Sequence, residues 1–185
     1  MRIIAFNNSY LDEAASLLAI RHTYDRKLTP ELPVKFENIE YAKKAIEVLL
    51  KDNSFGVAAI RDSKLIGYMI GSIHTDKNRE RHTWVKYAGV AIAEGETDEL
   101  IRELYTEFAK EMVNQGSFNH YVMVPSENTS ALDAWFRLGF AYEQVQGIRD
   151  LAVSTNKVNE NLQIRIANKD DEAIIREMAT IIMEH

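Results

Sequence analysis

Residues 54–74 read SFGVAAIRDSKLIGYMIGSIH, and this stretch decides the fold class of the chain. Two apolar runs, Phe55–Ile60 and Leu65–Ile73, flank the turn-forming residues RDSK. That pattern predicts a β-hairpin, because two apolar strands joined by a short polar turn pair with each other. The hairpin puts two neighbouring antiparallel strands into the sheet, so a purely parallel sheet is excluded.

Toward the N-terminus, the sequence predicts one strand followed by two helices. Ile3–Phe6 is a short apolar run, and cap-forming polar residues follow it. Apolar residues then recur at helical spacing from Leu11 to Leu18, and the prolines of LTPELP, residues 28–33, end that helix. A second helix is predicted over Phe36–Leu50, because its apolar residues fall on one face.

Toward the C-terminus, strands and helices alternate. TWVKYAGVAIA, residues 83–93, is predicted to form a single strand, apolar enough for the middle of a sheet. The clearest helix follows, with Gly116 as its C-terminal cap. Its apolar stripe consists of Leu100, Ile101, Leu104, Tyr105, Phe108, Ala109, Met112 and Val113. A strand over His120–Val124, a helix over Ser130–Leu138 that stops at Gly139, and a strand over residues 140–153 complete the series.

This order of elements predicts an α/β fold of the mixed, α+β kind. The hairpin requires antiparallel pairs, whereas the interspersed helices favour parallel ones, so both kinds of pairing are expected in one sheet. Apolar helices between strands need a sheet face to pack on, and a central mixed sheet with helices on both faces satisfies them.

Residues 1–154 are expected to form one domain, and residues 155–185 repeat the pattern with which the chain starts. A polar linker leads into a strand-like alternation at Leu162, Ile164 and Ile166, followed by cap residues and a helical stripe. The helical stripe consists of Ile174, Ile175, Met178, Ile181 and Ile182. The segment either completes the sheet of the first domain, exchanges a strand in a homodimer, or begins a second domain. The echo of residues 12–14, DEA, in residues 171–173 favours the last reading.

The composition excludes several classes of function. The formal net charge is −6, so neither nucleic acid nor an anionic membrane is an expected partner. The chain has no cysteine, which removes disulfides, cysteine nucleophiles and Cys-ligated metals. Its histidines and acids show no metal-ligand spacing, so no metal is expected. A start that turns polar after six residues lacks the apolar core of a signal peptide, and a cytoplasmic location is expected.

Residues 128–140, NTSALDAWFRLGF, resemble the late signature of the GNAT acyltransferase superfamily. The signature is an Asn, an Ala three residues later, an aromatic residue seven residues later, and then Leu-Gly-Phe. The hairpin resembles the second and third strands of that family, and residues 83–93 resemble the fourth. The resemblance covers about residues 1–152, and it is strongest to the N-terminal half of bacterial two-domain members.

The resemblance implies a V-shaped opening between the fourth and fifth strands, where acetyl-CoA binds. It also implies direct transfer of acetyl to the amine of a small molecule or peptide. Pantetheine is implied to pair with the backbone of residues 90–93, the pyrophosphate to sit on residues 94–99, and the signature Asn to face the cofactor. The implied cofactor-binding residues are Val90, Ala91, Ile92, Ala93, Gly95, Thr97, Asn128 and Trp135.

Two departures from the family put that cofactor site in question. The loop of residues 94–99, EGETDE, has one glycine and four acids where the family has Arg or Gln and then Gly-x-Gly. We expect its acids and Thr97 to cap the following helix and to repel a pyrophosphate, which would weaken or abolish acetyl-CoA binding. Trp135 stands where the family has a Tyr. An indole N–H does not titrate in the useful range, so a packing role is expected rather than general acid catalysis.

The sequence offers few candidates for a catalytic base. These are His74 and His82, on either side of a charged loop, His120 at the start of a strand, and Glu127 before the signature Asn. Three functions stay open at this point: an acetyl-CoA-dependent N-acetyltransferase, a non-catalytic GNAT-like domain that supports a catalytic partner domain, and a small-ligand sensor that uses the same cleft without chemistry.

Overall fold

The structure is a computed structural model that describes residues 1–51, 53–148 and 161–179 of the chain. It divides into two compact units, Met1–Arg149 and Asp150–His185. The described residues of the first unit form the strands β1 (Arg2–Ala5), β2 (Ser54–Arg61), β3 (Lys64–Asp76), β4 (Glu80–Val85), β5 (Val90–Ile92) and β6 (Asn119–Val122). Its helices are α1 (Leu11–Leu28), α2 (Ile39–Leu49), α3 (Glu99–Asn114) and α4 (Thr129–Arg137).

One mixed sheet runs through the first unit in the order β1-β2-β3-β4-β6, and β5 pairs with β3. All pairs are antiparallel except β4 with β6, which is parallel. The predicted hairpin is confirmed as β2 and β3. Asp62 and Ser63 form its two-residue turn, with φ of 51° and 63°, the left-handed conformation that suits tight hairpins.

The sequence 83–93 is not the single strand that its apolar character predicts. β4 pairs with the second half of β3, a 3₁₀ turn (Tyr87–Gly89) follows, and β5 pairs with the first half of β3. The turn packs directly on the backbone of β3: a Cβ added at Gly89 would lie 2.4 Å from the carbonyl oxygen of Ile70. Because glycine has no side chain, the turn can lie this close to β3. The chain leaves the sheet after β4 and re-enters it at β5.

Helices cover both faces of the sheet, as predicted. α1 and α2 pack through Ala15, Leu18 and Ile46 on the face that carries Tyr68 and Ile70. α3 and α4 pack on the other face, which carries Val57 and Met69. The residues that α3 and α4 contribute to this second core cluster are Leu100, Ile101, Leu104, Phe108, Met112, Ala131 and Trp135. Gly116 and Gly139 lie just beyond the two helices with φ of 77° and 89°, which confirms them as terminators.

The strand predicted over residues 140–153 is absent from its described part, residues 140–148. Tyr142, Val145 and Ile148 are exposed, so no neighbouring strand or helix supplies the burial that a strand needs. Glu143 instead forms an ion pair with Arg79 at 3.1 Å. Residues 149–153 lie outside the described part of the chain.

The second unit contains a 3₁₀ turn (Lys169–Asp171) and the helix α5 (Glu172–Ala179). Asn168 and Asp171 form a capping box, which confirms the predicted helix start. The strand-like alternation at residues 162–166 is not a strand in the structure, because no described residue pairs with it. Ile181 and Ile182 of the predicted stripe lie outside the described residues, and the domain assignments stay predictions.

Candidate functional site

The sheet opens where β4 gives way to β5. β4 and β6 stay paired up to Val85 and Val122, and the amide of Met123 donates the last bond to the carbonyl of Val85 at 2.9 Å. Beyond that bond the chain turns through residues 87–89 toward β3, and β6 has already ended at Val122. The edge of β5 that faces away from β3 therefore has no strand beside it among the described residues.

The register decides which backbone groups of β5 face this opening. The amide of Ala93 donates to the carbonyl of Ile66 at 2.8 Å, so Ala93 faces β3. Orientation alternates along an antiparallel strand, so Ala91 also faces β3, whereas Val90 and Ile92 face the opening. Of the four residues implied to pair with pantetheine, only these two present their amide and carbonyl groups there.

One of those groups is already engaged by a side chain from α1. The guanidinium of Arg21 donates through Nη1 to the carbonyl of Val90 and through Nη2 to the carbonyl of Tyr87, the latter at 2.8 Å. The carbonyl of Val90 is thus occupied. The amide and carbonyl of Ile92 are the complete donor–acceptor pair that the open edge offers to a ligand.

The acidic loop before α3 is paired with arginines. Glu96 forms an ion pair with Arg61 at 2.5 Å. Glu99 lies 2.5 Å from Arg102 and 3.5 Å from Arg137. Arginines therefore pair with two of the four acids, Glu96 and Glu99, and reduce the repulsion that these two would exert on an anion.

The expected capping of α3 by its own acids and Thr97 is wrong. Asp98 occupies the N-cap position, but with φ of −64° and ψ of −9° it is already helical, and its side chain makes no capping hydrogen bond. Thr97 contributes its backbone carbonyl, which accepts from the amide of Leu100 at 3.0 Å. Because a capping side chain needs an extended N-cap residue, no described side chain covers the amide groups of the first turn.

The structure places the signature Asn128 and its neighbour at the start of α4. The Oδ1 of Asn128 accepts from the amide of Ala131 and the hydroxyl of Ser130, both at 3.2 Å, so this oxygen caps the helix. Glu127 is exposed in the loop before it.

Trp135 lies inside the core instead of lining the opening. Only 2% of the residue is exposed, and its ring packs edge-on against Tyr105 at 5.4 Å and Phe140 at 4.9 Å. This position fits the packing role that its indole suggested.

His120 is fully hydrogen-bonded. The carbonyl of Ser117 can only accept, so the Nε2 of His120 donates to it at 3.1 Å. In the neutral ring Nδ1 then accepts from the hydroxyl of Tyr105 at 2.8 Å. Burial lowers the pKa of His120, against a smaller opposite effect of the bond to Ser117. Both nitrogens are engaged, so His120 has no free nitrogen to take a proton from a substrate.

The structure brings His74 and His82 together as a cross-strand pair of β3 and β4, with stacked rings 5.8 Å apart. His82 is buried and its Nδ1 donates to the carbonyl of Glu80 at 3.1 Å. His74 is exposed, and its Nε2 is hydrogen-bonded to the hydroxyl of Ser72 at 2.8 Å. Burial lowers the pKa of His74, and the nearby charge of Lys86 lowers it further.

These histidines line an open depression of about 460 Å³. It lies on the same face of the sheet as α1 and α2, in a part that the two helices leave uncovered. Its lining residues are His74, Thr75, Asp76, His82, Trp84, Lys86 and Met123. Lys86 and Met123 are the residues at which β4 and β6 diverge, so the depression reaches the apex of the opening. Trp84 lines the depression and stacks on Tyr121 of β6 at 5.0 Å. The sequence alone does not indicate the pair of Trp84 and Tyr121, because only the parallel pairing of β4 with β6 brings these two residues together.

Residues 1–51, 53–148 and 161–179 contain neither a metal-binding cluster nor a membrane-spanning helix. No cluster of three or more histidine, aspartate or glutamate side chains there is arranged to hold a metal ion. None of the helices in this part of the chain is long and apolar enough to cross a membrane.

Comparison with known proteins places the fold among acetyltransferases. No family model matches the chain, and no curated protein sequence matches it. A solved structure of a probable acetyltransferase is 19% identical, covers 84% of this chain and 100% of its own, and superposes with a TM-score of 0.59.

Two further solved structures are similar over most of their length. The aminoglycoside N-acetyltransferase AAC(6')-Iy in complex with CoA is 20% identical, with a TM-score of 0.56 over 81% of this chain and 94% of its own. The ribosomal-protein-alanine N-acetyltransferase from Brucella melitensis biovar Abortus 2308 is 15% identical, with a TM-score of 0.56 over 80% and 98%. The chain therefore has the fold of the GNAT acetyltransferases.

Proposed function

We propose that this chain is an acetyl-CoA-dependent N-acyltransferase that transfers acetyl to the amine of a small molecule or peptide. The observation that carries the proposal is the open edge of β5, where no described residue bonds to the amide and carbonyl of Ile92, near a start of α3 that has no side-chain cap. The similar solved structures include two N-acetyltransferases, one of them a CoA complex, and this supports the same chemistry here.

The residues present fit an acyl-CoA. Pantetheine contains amides, and the donor–acceptor pair of Ile92 matches one of them. The loop of residues 94–98 leads into the start of α3, which has no side-chain cap, and the positive end of the helix dipole suits a phosphate. Arg61 stands beside this loop and can exchange Glu96 for a phosphate oxygen. Bound acetyl-CoA would supply an acyl thioester whose carbonyl carbon a neutral amine can attack.

Calorimetric titration of CoA into the native chain and into Glu96→Gln tests the cofactor site. We expect the native chain to bind CoA. The variant should bind it about fivefold more tightly, because removing one like charge near a phosphate gains about 1 kcal/mol and frees Arg61. Glu107→Gln is the matched control: Glu107 is an exposed acid of α3 paired with Lys110, and its loss should leave the affinity unchanged. The proposal fails if neither the native chain nor Glu96→Gln binds CoA at millimolar concentration.

His74 is proposed as the group that takes the proton from the attacking amine. Its pKa lies below the ordinary histidine range, so the ring is neutral at pH 7 and can accept a proton. Its Nε2 is hydrogen-bonded to the hydroxyl of Ser72, which fixes the ring in the part of the depression where His74 pairs with His82. An amine bound beside Trp84 would reach the acyl group past Lys86 and Met123, where the depression meets the opening.

We expect His74→Gln to lower kcat for acetyl transfer to a primary amine by about 10²-fold or more, with CoA affinity unchanged. In the native enzyme, kcat/KM should rise with pH through the pKa of His74, below about 6.5, because only the neutral ring accepts a proton. That acid limb should vanish in His74→Gln and persist in His120→Gln, the control at a fully bonded histidine. Thiol release from acetyl-CoA with a panel of amines measures these rates. An unchanged rate in His74→Gln would exclude this role.

A second function is favoured by one observation on the second unit. Its apolar residues Leu162, Ile164, Ile166, Ile174, Ile175 and Met178 are all more than half exposed. Single exposed apolar residues are common on protein surfaces. A segment whose large apolar residues are all exposed is typical of a surface that a partner protein covers. A non-catalytic GNAT-like domain that supports a catalytic partner domain would show this surface and would bind no CoA, so the titration above separates the two functions.

A further inference from the structure

The 3₁₀ turn Tyr87–Gly89 sets the opening, and side chains from α1 and β3 bind its backbone carbonyls. The partly buried Arg21 donates to the carbonyls of Tyr87, the first residue of the turn, and of Val90, the residue after it. The hydroxyl of Tyr68 donates to the carbonyl of Ala88 at 2.9 Å. The carbonyls of residues 87, 88 and 90 are thus all bound by side chains of α1 or β3.

Arg21 is itself held in place by a buried acid. Its Nε lies 3.3 Å from Oδ2 of Asp25, whose side chain is completely buried. The guanidinium also lies over the ring of Tyr87, 4.1 Å from its centroid. Tyr87 donates its hydroxyl to the same Asp25 oxygen at 2.7 Å, and that hydroxyl contacts Nδ1 of His22 at 2.8 Å. The guanidinium therefore has one defined position.

This arrangement is not one that stability alone would favour. Oδ1 of Asp25 and Nε of Arg21 are both buried without a hydrogen-bond partner among the described residues. A buried ion pair gains little over an apolar pair of the same volume, because both charges lose their hydration. The ion pair with Asp25 instead fixes the position of the planar guanidinium of Arg21, which donates to two carbonyls at once.

We propose that Arg21 is a positioning residue for the pantetheine arm of the cofactor, an inference that rests on the proposed function. By binding the carbonyls of Tyr87 and Val90, Arg21 fixes how far β5 diverges from β6. By occupying the carbonyl of Val90, it also removes the competing acceptor from the open edge. An amide of pantetheine can then bond with both its N–H and its C=O only at Ile92. This single pairing fixes the position of the thioester along β5.

It follows that the two ends of the cofactor would bind to different parts of the chain. Arg21 holds the turn and the start of β5, whereas the nucleotide end would lie at the loop of residues 94–98 and the start of α3. Loss of the guanidinium should therefore weaken binding of the pantetheine arm and leave binding of the nucleotide end unchanged.

The test compares CoA with adenosine 3′,5′-bisphosphate, which carries the nucleotide end and lacks pantetheine. Arg21→Lys keeps the charge beside Asp25 but cannot reach two carbonyls with a planar fork. We expect its Kd for CoA to rise about tenfold and its Kd for the bisphosphate to stay within about twofold. The matched control is Arg26→Lys, in the same helix, where Arg26 donates to the carbonyl of Leu32 and pairs with Glu37. This control should change neither Kd.

Amide hydrogen exchange gives a second readout that does not depend on cofactor. Exchange at Ala91 and Ala93, whose amides face β3, should speed up in Arg21→Lys and stay as in the native chain in Arg26→Lys. The inference is overturned if CoA affinity is unchanged in Arg21→Lys, or if both probes lose affinity together. Failure of both the native chain and Glu96→Gln to bind CoA at millimolar concentration overturns the proposed function, and the inference with it.

Discussion

Replacing Gly89 by Ala is expected to lower the free energy of unfolding by about 3 kcal/mol. The new Cβ would lie 2.4 Å from the carbonyl oxygen of Ile70 and 3.2 Å from Cγ1 of Val85. The first contact is with backbone of a central strand, which cannot move aside as a flexible side chain can. The turn between β4 and β5 has to lift off β3, and the open edge at Ile92 moves with it.

Chemical denaturation followed by circular dichroism measures the loss of stability, and CoA titration of the folded variant measures the loss of the site. A fall of 3 kcal/mol corresponds to about 6–12 °C in Tm for a chain of this size. Gly147→Ala is the matched control, because a Cβ there meets no atom within 4 Å. A Gly89→Ala protein as stable as this control would show that the turn does not pack on β3 as described.

Trp135→Ala is expected to cost about 3–5 kcal/mol of unfolding free energy. Trp135 is the largest fully buried side chain in the described residues, and it holds α4 against α3 through Tyr105 and against the following loop through Phe140. Truncation leaves a cavity between the helices that their backbones cannot close. The same denaturation experiment measures this cost.

Phe136→Ala, the neighbouring residue on the exposed side of α4, is the control and should cost about 1 kcal/mol or less. Trp135→Phe separates packing from cofactor binding, since it keeps most of the aromatic volume. We expect the CoA affinity of Trp135→Phe to stay within about twofold of native. A large change in CoA affinity, with stability preserved, would instead place Trp135 at the cofactor.

Much of the fold could be predicted from local pattern. The β2–β3 hairpin follows from two apolar runs around a turn, and α3 follows from an apolar stripe that ends at Gly116. These signals lie within one element or between neighbouring ones, so short-range periodicity and turn chemistry suffice. The strand predicted at residues 140–153 was wrong over its described part, because an apolar alternation forms a strand only where a neighbour pairs with it.

The candidate site depends on contacts that no local pattern contains. Arg21 and Val90 are 69 residues apart in sequence, and only the packing of α1 on the sheet joins them. The loop before α3 suggested self-capping by composition, yet the helical conformation of Asp98 leaves the first amide groups without a side-chain cap.

The sequence by itself determined the mixed sheet and the order of β1, β2, β3, β6 and the four helices of the first unit, because these rest on periodicity and on the chemistry of single turns. It also carried the resemblance to the GNAT family, through the motif of residues 128–140. Only the tertiary structure decided where the sheet opens, which groups of β5 face the opening, and that His74 and His82 pair across β3 and β4. The physical reason is that each of these features depends on contacts between distant parts of the chain. The contact of Gly89 with the carbonyl of Ile70, the register of β5 on β3 and the His74–His82 pair exist only once the elements have packed.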